Sequence, residues 1–311
     1  MKPRFIFPLI IVLTLALQMA ELMFGAVHIP FSQLFEPDSR AIVVDIRLLK
    51  MITATLAGMA LSVSGLQMQT LFANPLAGPY VLGLSSGASL GVALLLLGGV
   101  AGAFGVAMAA LVGAGIVMLL LLVVNARVRD GMSLLILGIM FSSAVGAIVQ
   151  ILQFLSSESA LKSYVVWTMG SLGEVTWRQL PLLLLIVVVG LILAVLTIKA
   201  LNLMLFGPVL ARSMGLDLRR SRTVILLSTT LLAGGITAFC GPIGFIGLAV
   251  PHIARGICRT ADHRILLPAS ALLGADILLG CDLISRLLVL PINSVTALVG
   301  IPVVIYVILR R

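Results

Sequence analysis

The chain has 311 residues, of which 61% are hydrophobic and 10% charged, with a mean hydropathy of +1.24. Soluble proteins average about 45–50% apolar and about 25% charged residues, and one soluble core cannot hide the excess while keeping a polar exterior. A soluble enzyme, a nucleic-acid-binding domain and a disordered chain are therefore excluded, which leaves a polytopic membrane protein.

Apolar runs of about 20 residues are candidate spans. Ten occur, at about 5–27, 47–71, 80–98, 102–124, 132–155, 180–200, 222–240, 243–258, 266–288 and 293–309. The pattern predicts an all-α polytopic membrane protein with about ten transmembrane helices in one transmembrane domain over residues 1–311. The first run follows Lys2 and Arg4, as in a signal peptide. No small-x-small cleavage site follows, and Glu21 stands where one would be expected, so the run is read as a retained first helix.

The second run ends at Asn74-Pro75, with Pro79 close behind, which forces a tight turn. The stretch near 160–170 is amphipathic, too short to cross, and bracketed by Trp167 and Trp177. Tryptophans mark the headgroup level. Two arrangements fit this short outer half-helix: lining a vestibule, or lying flat on the surface. Pro242 and Pro251 with Gly241, Gly244 and Gly247 predict a bent or broken eighth helix.

The net charge of +9 comes from 20 Lys and Arg against 11 Asp and Glu. With the N-terminus inside, fourteen basic residues fall on the cytoplasmic side and six outside. The outer six are Arg40, Arg47, Lys50, Lys162, Arg178 and Arg286. The positive-inside rule then gives N-in, C-in, and the basic excess needs no nucleic acid.

Candidate chemistry is sparse. Cys240, Cys258 and Cys281 form no CxxC and have no metal-ligand spacing, so they read as small buried hydrophobes and no metal site is predicted. His28, His252 and His263 pair with no nucleophile, so no catalytic set is predicted. No phosphate-binding G-x-x-x-x-G-K-[ST] loop occurs, so any ATP used in transport is hydrolysed on another chain. Glu21 lies near an outer helix end, where a carboxylate can reach water. Asp282 and Arg286 share a helix face and are expected to pair. Asp276 lies near the middle of the ninth run, as a midplane ion site or as a carboxyl bonded across a helix interface.

Two stretches are more specific: Asn74-Pro-Leu-Ala with the following Leu-Gly-Leu-Ser-Ser-Gly-Ala, and Gly244-Phe-Ile-Gly-Leu-Ala-Val-Pro-His-Ile-Ala-Arg255. Together they resemble the FecCD-type permease subunits of iron-siderophore, heme and cobalamin ABC importers, over about residue 45 to the C-terminus. The resemblance implies a bacterial inner-membrane homodimer with two ATPase subunits below and one periplasmic binding protein above. It implies alternating access at the dimer axis, no cofactor bound by this chain, and ATP and Mg used by the partner ATPase.

The resemblance assigns ATPase coupling to Ala211, Arg212, Ser213, Met214, Gly215 and Leu216. It assigns an inner gate to Asn74 and Leu76, and binding-protein docking to Arg47, Lys50 and Arg286. The usual Arg-Leu-Pro-Arg reads Arg47-Leu48-Leu49-Lys50 here, and lysine lacks bidentate carboxylate binding. Residues Asp130-Gly131-Met132-Ser133 do not match the family's second gate strip, which is left unassigned. Near the C-terminus the usual Glu-Leu-Pro-Val-Gly reads Val289-Leu290-Pro291-Ile292-Asn293. Ferric siderophore is favoured as cargo by family frequency, with heme, cobalamin and an oxyanion such as molybdate open. The readings from other classes are an ion-coupled carrier centred on Asp276 and a membrane scaffold.

Overall fold

The computed structural model describes residues 3–24, 42–99, 105–127 and 131–309. His28, Arg40, Arg129 and Asp130 lie outside the described residues. Each of the ten predicted segments coincides with a helix or a broken pair of helices. These are α1 (Pro3–Met23), α2 (Leu49–Leu71), α3 (Leu84–Leu96), α4 (Val106–Arg127), α5 (Gly131–Leu155) and the bent pair α7 (Leu180–Leu196) and α8 (Ile198–Met204). They continue with α10 (Leu218–Thr229), which runs through a π-helical turn into α11 (Gly235–Cys240), then α12 (Ile246–Cys258), α13 (His263–Leu288) and α14 (Ile292–Leu309). Two short helices lie between these, α6 (Glu158–Thr168) and α9 (Pro208–Ser213).

By length and composition, five of these stretches can cross a membrane, and α7 with α8, bent by 51°, adds a sixth. Helices α3, α12 and α14 are apolar but shorter. Helix α2 has 23 residues, about 34 Å at 1.5 Å per residue. Only 28% of the α5 window is buried, against 72% of the α13 window. Phe154 on α5 is 89% exposed. Water cannot cover such apolar faces, which belong to lipid or to a partner.

Helix α2 is the centre. It is buried on every face from Ala60 to Thr70 and packs against α13, α12 and α7. Two pairs of glycines allow the approach. A methyl group at Gly58 would land on the Gly274 carbonyl of α13, and one at Gly274 would land on Gly58. A methyl group at Gly65 would land on the Gly247 carbonyl of α12. Small residues let helix backbones meet where no hydrophobic effect drives them together.

Polar atoms on α2 are satisfied inside the bundle. The Gln67 amide donates to Thr197 Oγ1 at 3.3 Å and accepts from Ser228 at 3.1 Å and Thr229 at 3.2 Å. The last two residues stand where α10 enters its π-helical turn. An extra residue in a helical turn redirects side chains, and here it accompanies two hydroxyls aimed at one amide.

The described chain begins and ends on the same side. Glu21, near the end of α1, joins Lys50 at one end of the bundle, whereas Val307, near the end of α14, stands beside Gln69 at the other.

Gly65→Ala is expected to destabilise the purified protein by about 2 kcal/mol or more, because backbone faces the added methyl and cannot yield. Gly115→Ala, with open space around it, is expected to be neutral. Thermal unfolding in detergent, read from Trp167 and Trp177, checks both.

Candidate functional site

The Gln69 end holds the predicted gate turn. Phe72 closes α2 by donating its N–H to the Met68 carbonyl at 3.1 Å, and Ala73 takes a left-handed φ of +47°. Asn74 Oδ1 then accepts the Leu76 N–H at 2.9 Å. This is an Asx-turn, in which the side chain mimics a backbone turn. Leu76 is exposed at its tip.

Helix α12 grips this turn with two side chains one helical turn apart. His252 Nε2 lies 2.8 Å from the Pro75 carbonyl, which can only accept, so the ring nitrogen donates. Arg255 Nη1 donates to Gln69 Oε1 at 2.6 Å, and the Gln69 amide nitrogen donates to the Leu248 carbonyl at 3.0 Å. The two sequence motifs of the resemblance thus meet in space.

The predicted coupling residues form α9 and its exit. Gly207 and Pro208 start the helix. The Leu216 N–H returns to the Ala211 carbonyl at 3.0 Å and the Gly215 N–H to the Arg212 carbonyl at 2.9 Å. This is a Schellman closure, and Gly215 at φ +83° supplies its left-handed residue. Asp217 then caps α10 by accepting the Arg220 N–H at 3.0 Å. Ala211 is buried, whereas Arg212, Ser213, Met214 and Gly215 are exposed. Val209 is 83% exposed, Phe206 62% and Met214 53%. They form an apolar knob beside Arg212, Arg219 and Arg220. The basic residues are evident in the sequence and the knob is not. The spacing Phe206, Val209, Leu210, Met214 behind Gly-Pro was the available signal.

A hydrogen-bond chain runs from α8, the helix before this loop, to α2. Asn202 on α8 donates to Asp262 Oδ1 at 2.7 Å, which turns its own oxygen toward His263. That oxygen accepts the His263 N–H at 2.9 Å and lies 2.7 Å from Nδ1. His263 Nε2 lies 2.8 Å from Thr70 Oγ1 on α2. The Arg264 backbone N–H, together with the Asn202 amide, holds the Asp262 carboxyl below the usual carboxylate range.

The opposite end collects Arg47, Lys50 and Arg286, the predicted docking residues, and turns their charges inward. Arg47 is 4% exposed, and its Nη1 donates to the Leu22 carbonyl at 2.7 Å and the Met23 carbonyl at 3.0 Å, at the C-terminus of α1. Lys50 pairs with Asp282 Oδ1 at 2.9 Å. Arg286 reaches Asp282 Oδ2 with Nη2 at 2.7 Å and with Nε at 2.9 Å, as expected, and also pairs with Glu21. Glu21 is 0% exposed. The expectation that it reaches water is therefore wrong, because α13 lies alongside and supplies a buried guanidinium instead.

Asp276 is buried on α13, within 2.5 Å of Thr14 Oγ1 on α1. Its second carboxylate oxygen has no hydrogen-bond partner. Cys240, Cys258 and Cys281 are free and buried. Among the described residues, no group of three or more His, Cys, Asp or Glu could hold a metal. The predicted half-helix is α6, which packs on α3 through Tyr164 and Ser89, 2.5 Å apart. It walls a cavity of about 500 Å³ with Lys162, Trp167, Glu174 and Phe239.

A helical bundle with five spans and a sixth bent one, joined by short connections, describes a multi-pass membrane protein. Residues 10–310 match the FecCD transport family, and the chain belongs to it. It is 37% identical, over 99% of its length and 94% of the relative's, to the vitamin B12 import system permease protein BtuC of Klebsiella pneumoniae. It is 35% identical to an uncharacterized ABC transporter permease protein, YvrB, of Bacillus subtilis, over 92% of this chain and 88% of that one. Among solved structures, a metal-chelate type ABC transporter in an inward-facing conformation superposes with a TM-score of 0.90, at 27% identity, covering 99% of this chain and 100% of that one. PsaBC from Streptococcus pneumoniae shares the fold, with a TM-score of 0.61 at 17% identity over 82% of this chain and 88% of that one. The chain is an ABC transporter permease of this family.

Arg286→Gln is expected to destabilise the protein by about 2–4 kcal/mol, because it strands the buried Glu21 carboxylate and leaves Asp282 to Lys50 alone. Adding Glu21→Gln to Arg286→Gln is expected to recover part of the loss. A double-mutant cycle on thermal unfolding measures the coupling.

Proposed function

We propose that the chain works as a homodimer in a bacterial inner membrane, with two ATPase subunits at the Gln69 end and a periplasmic binding protein at the Lys50 end. The cargo is a bulky metal chelate, moved inward by alternating access at the dimer axis. The reading puts both termini in the cytoplasm, supported by the excess of basic residues on that side. ATP and Mg are used by the ATPase, and this chain contributes no catalytic group.

The observation that carries the reading is the apolar knob of α9. Phe206, Val209 and Met214 stand exposed beside three arginines, on the loop between the bent pair α7–α8 and α10. An exposed apolar patch rimmed by polar groups marks a protein or membrane contact, and its place on an arginine-rich loop favours a protein one. The Asn202–His263–Thr70 chain gives it a short mechanical route to the Asn74–Leu76 turn, the inner gate in this reading.

Cobalamin is the first cargo to test. Support comes from the Klebsiella pneumoniae relative, described as a vitamin B12 permease and matched over nearly the whole chain. Ferric siderophore and heme follow. At the docking end three cations, Arg47, Lys50 and Arg286, are balanced by Glu21, Asp282 and the exposed Asp45, so an acidic partner would meet the partly exposed Lys50 and Arg286 rather than a net positive patch. The ion-coupled alternative gains no second polar group beyond Thr14 at Asp276. Asp276→Asn is expected to leave the pH profile of uptake unshifted.

The deciding experiment is ATPase activity of the reconstituted complex: this chain, its co-encoded ATPase and its binding protein. Binding protein loaded with cobalamin is expected to stimulate hydrolysis more than the same protein loaded with ferric siderophore or heme. Failure of any ATPase to associate would overturn the reading. Gly215→Leu places a side chain in open space, at a backbone strain of about 1–2 kcal/mol. It is expected to assemble and hydrolyse ATP while losing uptake.

A further inference from the structure

Beside the gate turn lies a pocket of about 270 Å³, walled by Gln69, Ala73, Pro75, His252, Arg255 and Val307. Three separate elements form it: the end of α2 with its turn, α12 and α14. Arg255 is half-buried there. Its hydrogen-bond partner is the neutral Gln69 oxygen at 2.6 Å, and among the described residues it forms no ion pair with a carboxylate. A neutral acceptor satisfies one N–H of a guanidinium but not its charge, and a guanidinium presents five donors in a planar fork. The neighbours are fixed. The Leu248 carbonyl holds the Gln69 amide nitrogen, so its oxygen must face Arg255. The Pro75 carbonyl holds His252 Nε2. The pocket therefore presents a desolvated cation in a preformed frame.

We propose that this pocket binds a phosphate oxyanion, bidentate on Arg255. The phosphate comes either from an anionic phospholipid headgroup of the adjacent leaflet or from free phosphate. Basic pockets between helices on the cytoplasmic side suit lipid phosphates, and a fork of N–H donors suits a tetrahedral oxyanion. The pocket is too small for a chelate and does not lie on the coupling loop. Its occupant would touch Ala73 and Pro75, the residues on either side of Asn74, so occupancy would bear on the gate turn. Only the choice of leaflet rests on the orientation proposed above; the site itself does not.

The test uses the purified permease in nanodiscs of neutral phosphatidylcholine. One arm titrates inorganic phosphate and follows thermal unfolding. The other adds phosphatidylglycerol and counts retained lipid by native mass spectrometry. One Arg255-dependent anion per protomer is expected. Arg255→Gln should weaken binding about tenfold or more, with Arg255→Lys in between because an ammonium lacks the fork. Arg264→Gln, an exposed arginine outside the pocket, should bind as the parent does. A response to phosphate alone identifies a free-anion site, and retained phosphatidylglycerol identifies a lipid site. Equal binding by parent and Arg255→Gln in both arms, or no binding in either, overturns the proposal. If Arg255→Gln does not fold, Arg255→Lys against Arg264→Gln decides. Neither arm involves the ATPase, so failure here is distinct from failure of the importer reading.

Discussion

Helix α2 carries Ser62, Ser64, Gln67, Gln69 and Thr70 into the buried interior of the bundle. Each of those groups would cost free energy if left unpaired. The bundle answers in two ways. Gly58 and Gly65 remove side-chain bulk so that α13 and α12 come to backbone contact, and Gln67 draws in Ser228, Thr229 and Thr197. Close approach along one face and hydrogen bonding along another fix α2 against its neighbours at once. A slip of α2 along its axis would break both sets together.

The two ends of the bundle are held by different chemistry. At the Lys50 end, five charged groups from three segments lock α1, α2 and α13. A buried ion pair is weak evidence for net stability, yet losing one partner is costly, so this end resists piecemeal loosening. At the Gln69 end the links are neutral or singly charged hydrogen bonds: Asn202 to His263, His263 to Thr70, Arg255 to Gln69, His252 to the Pro75 carbonyl. Such links contribute about 0.5–3 kcal/mol each, against about 3–5 kcal/mol for breaking a buried ion pair. The two ends therefore differ in what one broken link costs.

Much of this was legible in the sequence, for identifiable reasons. Span positions follow from local composition, so all ten segments became helices or broken helices with small errors at their ends. The break expected within the eighth segment is absent: α12 runs through Pro251 from Ile246 to Cys258, and the Pro and Gly of residues 241–245 form its link from α11 instead. The Asp282–Arg286 pair follows from four-residue spacing. What was not legible is non-local. Glu21 looked solvated because nothing near it in sequence is basic, while its partner lies 265 residues away. The docking roles of Arg47 and Lys50 come from the resemblance, and the inward partners of both, on α1 and α13, are likewise distant in sequence. The α9 knob escaped because apolar residues in a very apolar chain carry little information until their exposure is known. Exposure is a property of packing.

Helix α13 ties these strands together. Its 26 residues span about 39 Å at 1.5 Å per residue, longer than a typical hydrocarbon core of about 30 Å. It carries Asp282 and Arg286 at the ion-paired end and His263 at the hydrogen-bonded end. Gly274, near its middle, is where it touches α2 most closely. Pro268 interrupts its hydrogen-bond ladder between His263 and Gly274. The His263 end beyond that proline is held by Asn202 on α8 and Thr70 on α2 rather than by charge. The chain's polarity between its two ends thus follows from where its few charges pair, as much as from the gate residues themselves.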